Sequence, residues 1–303
     1  MKRGIYAVLG VDTPFDPHFS LVTSPVVPPL VLAGLRLALA LYATVFVLFR
    51  LIYEGVRYHS DGSFFSYFTS LSYIGLLSYF WASGVQTFSY ARSLRSASHP
   101  PRYALQSWPR PLQFLHLLLH STIVTFPVIV TAVFWSLLSS PDTLATRYSA
   151  WVNISEHALN TAFAGLEIVL TNAAPSLPRR PRSGVALPWV HLPFLVGLLA
   201  CYLGVAYITS ATQHFYTYSF LDPHTEHAKL AAYIVGIAAA EGVLFVVVRY
   251  AMMLRAALVR RHTAPERGIA YAYSPSDPAV DAQAAHKEEL DDWQEVSETG
   301  IAV

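Results

Sequence analysis

Hydrophobic runs dictate what this chain can be. Six of them, at 30–53, 64–85, 112–138, 151–172, 187–210 and 228–253, each carry about 20 residues or more with few charges. A helix rises about 1.5 Å per residue, so about 20 residues cross the roughly 30 Å hydrocarbon core of a bilayer. In lipid every backbone N–H and C=O has to be satisfied internally, which makes the helix the natural form for such runs. Charge is scarce to match: 13% of residues are charged and 54% are hydrophobic, against about 25% charged in a soluble domain. The expected fold class is all-α, a polytopic membrane protein with six transmembrane helices.

Basic residues set the orientation, because cytosolic loops collect Lys and Arg. One side gathers Lys2, Arg3, Arg92, Arg95, Arg102, Arg110, Arg179, Arg180, Arg182, Arg255, Arg260, Arg261 and Arg267; the other has Arg57, Arg147 and Lys229. That bias predicts both termini in the cytosol. Three parts follow: a proline-rich lead-in at 1–28, a six-helix domain at 29–255, and a tail at 256–303. The tail is expected to be disordered, since it is rich in Pro, Ser, Asp and Glu and lacks periodic apolar residues. The apolar stretch after Lys2 and Arg3 is short and interrupted by Gly10. It has no cleavable-signal pattern, so insertion falls to the first long run. Cys201 is the single cysteine; it excludes a disulfide framework and reads as a small buried apolar side chain. Net charge of +1 gives no reason to expect a nucleic-acid partner. The partners expected are membrane lipids, in the endoplasmic reticulum or the plasma membrane.

Polar groups inside these runs are costly, roughly 3 kcal/mol for a charge at the bilayer centre. The segment 157–170 nevertheless carries His157, Asn160, Thr161 and Glu167. Counted from the non-cytosolic ends of their runs, Thr69 and His157 both lie roughly 8 Å deep. Thr209, Ser210, Thr212, Gln213 and His214 crowd the exit of the fifth run. Polar groups from three runs at one level point to a cavity opening on that face. Nearer the cytosol, Arg36, Glu167 and Glu241 form a buried charge layer, in which Arg36 is expected to pair with Glu167, Glu241 or both. A structural role is the simpler reading; a proton or ion pathway is its rival. His116 and His120 share a helical face and His191 opens the fifth run, but a membrane diiron site needs several His-rich motifs. His224 and His227 are a loop pair. Neither a metal nor a cofactor is expected.

Acyl transfer needs a hydroxyl or thiol, a base for its proton, and donors for the oxyanion. Thr69 and His157, at matched depth, could supply the first two, although Ser and Thr also serve membrane helices in packing. There is no Gly-x-Ser-x-Gly elbow.

Three segments carry a family resemblance. Phe64-Phe65-Ser66-Tyr67-Phe68-Thr69-Ser70 resembles the Phe/Tyr-Phe-Thr segment of the androgen-induced gene one family. His157 with Glu167 ten residues on resembles its second signature, and the aromatic stretch at 215–221 a third. Ser219 stands where animal members tend to have proline, and Ser210 and Ala211 where they have histidines. The resemblance implies a multi-pass hydrolase with Thr69 as nucleophile and His157 as its histidine, and fatty acid esters of hydroxy fatty acids as substrates. Asn160, Gln213 or His214 would support His157, since Glu167 lies about 15 Å along the same helix. The alternative class is a non-catalytic lipid-binding or transport protein using the same cavity.

Overall fold

A computed structural model describes residues 4–58, 61–96, 100–174 and 186–263. Among these there is no strand, and the long elements are all helices: α1 (Pro29–Tyr58), α2 (Phe68–Ser93), α3 (Arg110–Val133), α4 (Arg147–Ile154), α5 (Asn160–Leu170), α6 (His191–Gln213) and α7 (Lys229–Thr263). Two π turns interrupt the pattern. Phe134–Leu138 extends α3, and Ser155–Leu159 joins α4 to α5.

Four stretches have the length and apolarity to cross a membrane: Pro29–Arg57, Arg110–Leu138, His191–Gln213 and Lys229–Arg261. The other two expected runs are different in kind. Helix α2 is studded with Ser, Thr, Tyr and Gln, and it buries Ser70, Ser83, Gln86 and Thr87. The run at 151–172 is broken by its π turn. Of the more apolar helices, α1 and α3 pack most closely on these two polar elements.

Helix α1 shows how sequence selects a face. Leu32, Arg36, Ala40, Ala43 and Val47 are buried, while Leu30, Val31, Leu41, Val45, Leu48 and Ile52 are exposed. The inward positions recur every three or four residues, which is one side of a helix. That side mixes large side chains, Leu32, Arg36 and Phe46, with the small Ala33, Ala40 and Ala43, and α2 comes close to it. A Cβ added to Gly84 of α2 would stand 2.8 Å from Leu37 Cδ2 and 3.4 Å from the Leu37 backbone nitrogen. Small residues at such crossings allow backbones to approach where lipid offers no hydrophobic drive. Cys201 departs from expectation: it lies exposed on α6, because an apolar run has a lipid-facing side as well as an inner one.

The second run also begins later than its aromatic composition suggests. Residues Asp61–Ser66 form a 3₁₀ helix, Tyr67 is extended at φ −94° and ψ 132°, and α2 begins only at Phe68. Thr69 therefore sits in the first turn of α2. At the other end of the chain α7 runs on to Thr263, so the first eight residues assigned to the tail are helical. The remainder of the tail, 264–303, and the basic residues Arg179, Arg180 and Arg182 lie outside the described residues.

The lead-in is folded against the bundle. Val11, Phe15, Leu21 and Val22 are buried. The Asp16 carboxylate accepts from the Ser20 and Leu21 amides at 2.8 and 3.0 Å and from the Tyr103 hydroxyl at 2.8 Å. Burial raises the Asp16 carboxyl above its ordinary value, and these three donors oppose that shift. The Leu21 carbonyl accepts from Arg36 at 2.9 Å, and the Leu9 carbonyl accepts from His191 Nε2 at 3.1 Å.

Candidate active site

Thr69 lies on the wall of an apolar cavity of about 290 Å³. Helices α2, α3, α6 and α7 enclose it together with the 3₁₀ turn Ser219–Leu221. Phe68, Ile129, Val133, Phe134, Leu199, Leu203, Phe220, Ile234 and Ile237 supply most of the surface; Thr69, Tyr202 and Tyr218 supply its polar groups. The volume is near the lower end of the roughly 300–1,000 Å³ usual for small-molecule sites.

The hydroxyl of Thr69 has a phenol for company. Tyr218 OH lies 3.4 Å from Thr69 Oγ1 and accepts from the Thr69 amide, also at 3.4 Å. Tyr202 is tied elsewhere: its hydroxyl donates to the Ser66 carbonyl at 3.1 Å and lies 3.1 Å from Thr217 Oγ1.

His157 is buried in the π turn between α4 and α5. Its ring stacks on Phe134, itself the first residue of the other π turn, with centroids 3.5 Å apart and planes within 10°. Trp135 Nε1 donates to the His157 carbonyl at 2.8 Å. Single π turns inside helices are rare and concentrate at functional sites, and here two of them meet. Nδ1 of His157 lies 3.2 Å from the Asn153 carbonyl. A carbonyl can only accept, so Nδ1 carries the proton and Nε2 keeps its lone pair. Among the described residues no hydrogen bond engages Nε2.

No hydrogen bond joins Thr69 to His157, and His157 does not itself line the cavity; Phe134, which does, covers one face of the imidazole. The support expected from three side chains is not there. Asn160 is held at the α3 proline instead, accepting from Thr131 at 3.1 Å and donating to the Pro127 carbonyl at 3.4 Å. Gln213 and His214 are exposed at the end of α6, where His214 takes a left-handed conformation that terminates the helix. The orienting group for His157 is a backbone carbonyl one turn earlier, which composition cannot reveal.

A second polar cluster stands beside His157. Arg50 donates from Nε to Glu54 at 2.8 Å and from Nη1 to Glu156, and its guanidinium lies 5.1 Å from the Phe64 ring centroid. Tyr148 donates to Glu54 at 3.1 Å, and Tyr42 pairs with Ser155 at 2.8 Å. Arg50 and Glu54 have the four-residue spacing that puts two charges side by side on a helix. With Glu156 next to His157, that spacing was the available signal for this cluster.

The buried charge layer is narrower than its three members suggest. Arg36 and Glu167 form a two-bond ion pair, both 2% exposed. Tyr79 donates to Glu167 at 2.6 Å and Arg36 donates to Thr87 at 2.5 Å. Glu241 is not part of it. Both of its carboxylate oxygens are buried without a hydrogen-bond partner, and the Thr125 hydroxyl approaches without reaching bonding geometry. The Glu167 carboxylate takes the Nε–Nη2 edge of Arg36, and the Leu21 carbonyl and Thr87 hydroxyl take Nη1, which leaves no edge for a second carboxylate. The histidines lie elsewhere: His116 and His120 pack on Tyr79 with centroids 5.6 and 5.5 Å away, and His191 Nδ1 lies 2.7 Å from Ser121 Oγ. Among the described residues no three His, Cys, Asp or Glu side chains come together as a metal would need.

An all-helical integral membrane protein is the class this arrangement defines, with a mostly apolar cavity carrying a threonine hydroxyl. Within that class the chain belongs to the FAR-17a/AIG1-like protein family, whose model matches residues 33–253. No curated protein and no solved structure matches the chain.

Proposed function

We propose that this chain is a membrane-embedded hydrolase of lipid esters, with Thr69 as nucleophile and His157 as general base. The observation that carries the reading is the Thr69 hydroxyl on the wall of a cavity otherwise built for hydrocarbon. An acyl chain fills the apolar volume and brings its ester carbonyl to the polar wall. Fatty acid esters of hydroxy fatty acids are the substrates that the family resemblance implies.

The tautomer of His157 supports the base role. With Nδ1–H held by the Asn153 carbonyl, Nε2 is free to take the Thr69 proton while Oγ1 attacks the ester carbon. Collapse of the tetrahedral adduct gives an acyl-threonine, and the proton on Nε2 passes to the departing alkoxide. Water then attacks the acyl-threonine, giving its proton to Nε2, and Thr69 leaves with that proton. Phe134 covers the imidazole, so its ring swings aside when base and nucleophile meet.

In this reading α2 and the segment 147–170 complete six crossings, and both termini lie in the cytosol, in the endoplasmic reticulum or the plasma membrane. The bias of basic residues supports that orientation. The test is covalent labelling by a lipophilic fluorophosphonate in membranes. The parent protein labels and hydrolyses a long-chain ester; Thr69→Ala does neither, and His157→Ala slows both by two or more orders of magnitude, at the low end of what general-base loss costs. Labelling of Thr69→Ala at the parent's level would refute the assignment.

A further inference from the structure

Resting on that reading, we infer that Tyr218 is a catalytic residue: its phenol donates the hydrogen bond that stabilises the oxyanion formed when Thr69 attacks. Acyl transfer places negative charge on the carbonyl oxygen of the tetrahedral adduct, and a donor aimed at that position is worth more than one aimed at the ground-state carbonyl. The adduct oxygen and Thr69 Oγ1 are attached to the same carbon. A donor close to Oγ1, yet not tightly bonded to it, is therefore near the oxyanion.

Tyr218 meets that description. Its hydroxyl stands 3.4 Å from Thr69 Oγ1, at the outer edge of hydrogen bonding, and it lines the cavity. The phenol oxygen already accepts from the Thr69 amide, and its own proton has the Thr69 and Tyr202 hydroxyls as neighbours, from which it turns to the oxyanion as charge develops. A long, weak contact before reaction is what a transition-state donor requires, because a strong ground-state bond would have to be broken. Tyr202 offers the contrast. It lines the same cavity, but its hydroxyl is committed to the Ser66 carbonyl, with Thr217 Oγ1 at 3.1 Å.

The ring of Tyr218 is held mainly by its neighbours, its hydroxyl adding contacts to Thr69 at 3.4 Å. It stacks on Phe220 with planes 2° apart and centroids at 5.2 Å, and meets Tyr67 edge-on at 5.9 Å. The turn after Tyr218 anchors the arrangement: Phe220 and Leu221 are buried and line the cavity. Removing the hydroxyl alone thus leaves the ring in place. The step itself transfers no proton from tyrosine. The O–H bond stays intact, the carbonyl π pair moves onto oxygen as the Oγ1–C bond forms, and the phenol hydrogen bond shortens onto that charge.

The experiment compares parent, Tyr218→Phe, Tyr202→Phe and Thr69→Ala in membranes. Ester hydrolysis and the rate of fluorophosphonate labelling are each normalised to the amount of folded protein, measured by monodisperse elution in detergent. Tyr218→Phe is expected to lose about 10²-fold in kcat, the scale of one oxyanion donor, with KM within about threefold of the parent. Labelling slows in parallel, since phosphonylation also builds charge on oxygen. Tyr202→Phe is expected to stay within about threefold throughout. If Thr69→Ala is inactive but Tyr218→Phe keeps the parent kcat, the oxyanion role is overturned and the threonine reading stands. The role is also overturned if Tyr202→Phe loses as much kcat as Tyr218→Phe. If Thr69→Ala remains active, both fall.

Discussion

Replacing Glu167 by Gln separates structure from chemistry in the cytosolic half of the bundle. The carboxylate carries two bonds from Arg36 and one from Tyr79, with both ion-pair partners 2% exposed. Glutamine keeps the volume and one acceptor oxygen, but leaves the guanidinium with uncompensated charge. Arg36 would retain its bonds to Leu21 and Thr87, which are neutral acceptors. Removing one partner of a buried ion pair costs about 3–5 kcal/mol. For a domain of this size that corresponds to a fall of roughly 10 °C in unfolding midpoint. Replacing both partners, as Arg36→Met with Glu167→Met, is expected to recover most of that loss, because neither charge is then buried alone. The assay is thermal unfolding of purified protein in detergent, followed by hydrolysis per unit of folded protein. Two results would refute the structural reading. One is Glu167→Gln with the parent's unfolding midpoint but lost turnover, as a proton pathway through Arg36 and Glu167 requires. The other is a double variant no more stable than the single one.

Two further expectations concern the outer and inner ends of the bundle. Arg50→Met strands Glu156, which is 3% exposed and adjacent to His157; it should lower stability by about 3 kcal/mol and depress kcat, read by unfolding midpoint and turnover together. At the lead-in, burial raises the Asp16 carboxyl, so the folded state holds its proton more tightly than the unfolded chain. The docking contribution is then full below the ordinary aspartate value and is lost as pH rises through the raised one. Limited proteolysis of residues before Pro29 should accelerate across that window in the parent. Asp16→Asn, which cannot ionise, should show no such pH dependence; a parent rate flat in pH would count against the assignment.

What the sequence made legible was decided by period and cost. Four apolar helices could be read from run length alone, and the pairing of Arg36 with a carboxylate followed from the price of an unpaired charge in lipid. Its partner could not be chosen between Glu167 and Glu241 without knowing how α5 and α7 are turned. Thr69 was visible as a polar residue in an aromatic segment, yet its place in the first turn of α2 depends on the 3₁₀ helix Asp61–Ser66. The stacking of Phe134 on His157 depends on two π turns, and no composition rule forecasts where a helix slips by one residue. Asn153 escaped because it acts through its carbonyl, which every residue has. Arg50 escaped because it lies at the end of a long apolar run, where its spacing to Glu54 was the signal.

The latches on the lead-in also imply a timetable for biosynthesis. Leu21 meets Arg36 across 15 residues, Asp16 meets Tyr103 across 87, and Leu9 meets His191 across 182. A nascent chain emerges in that order, so the first contact can close while α1 is inserting, the second after α2, and the last once α6 has begun. Each later latch closes a longer loop, at an entropic cost that grows only slowly with length. The segment made earliest is thus among the last to be secured, and its docking reports that the bundle has been assembled as far as His191.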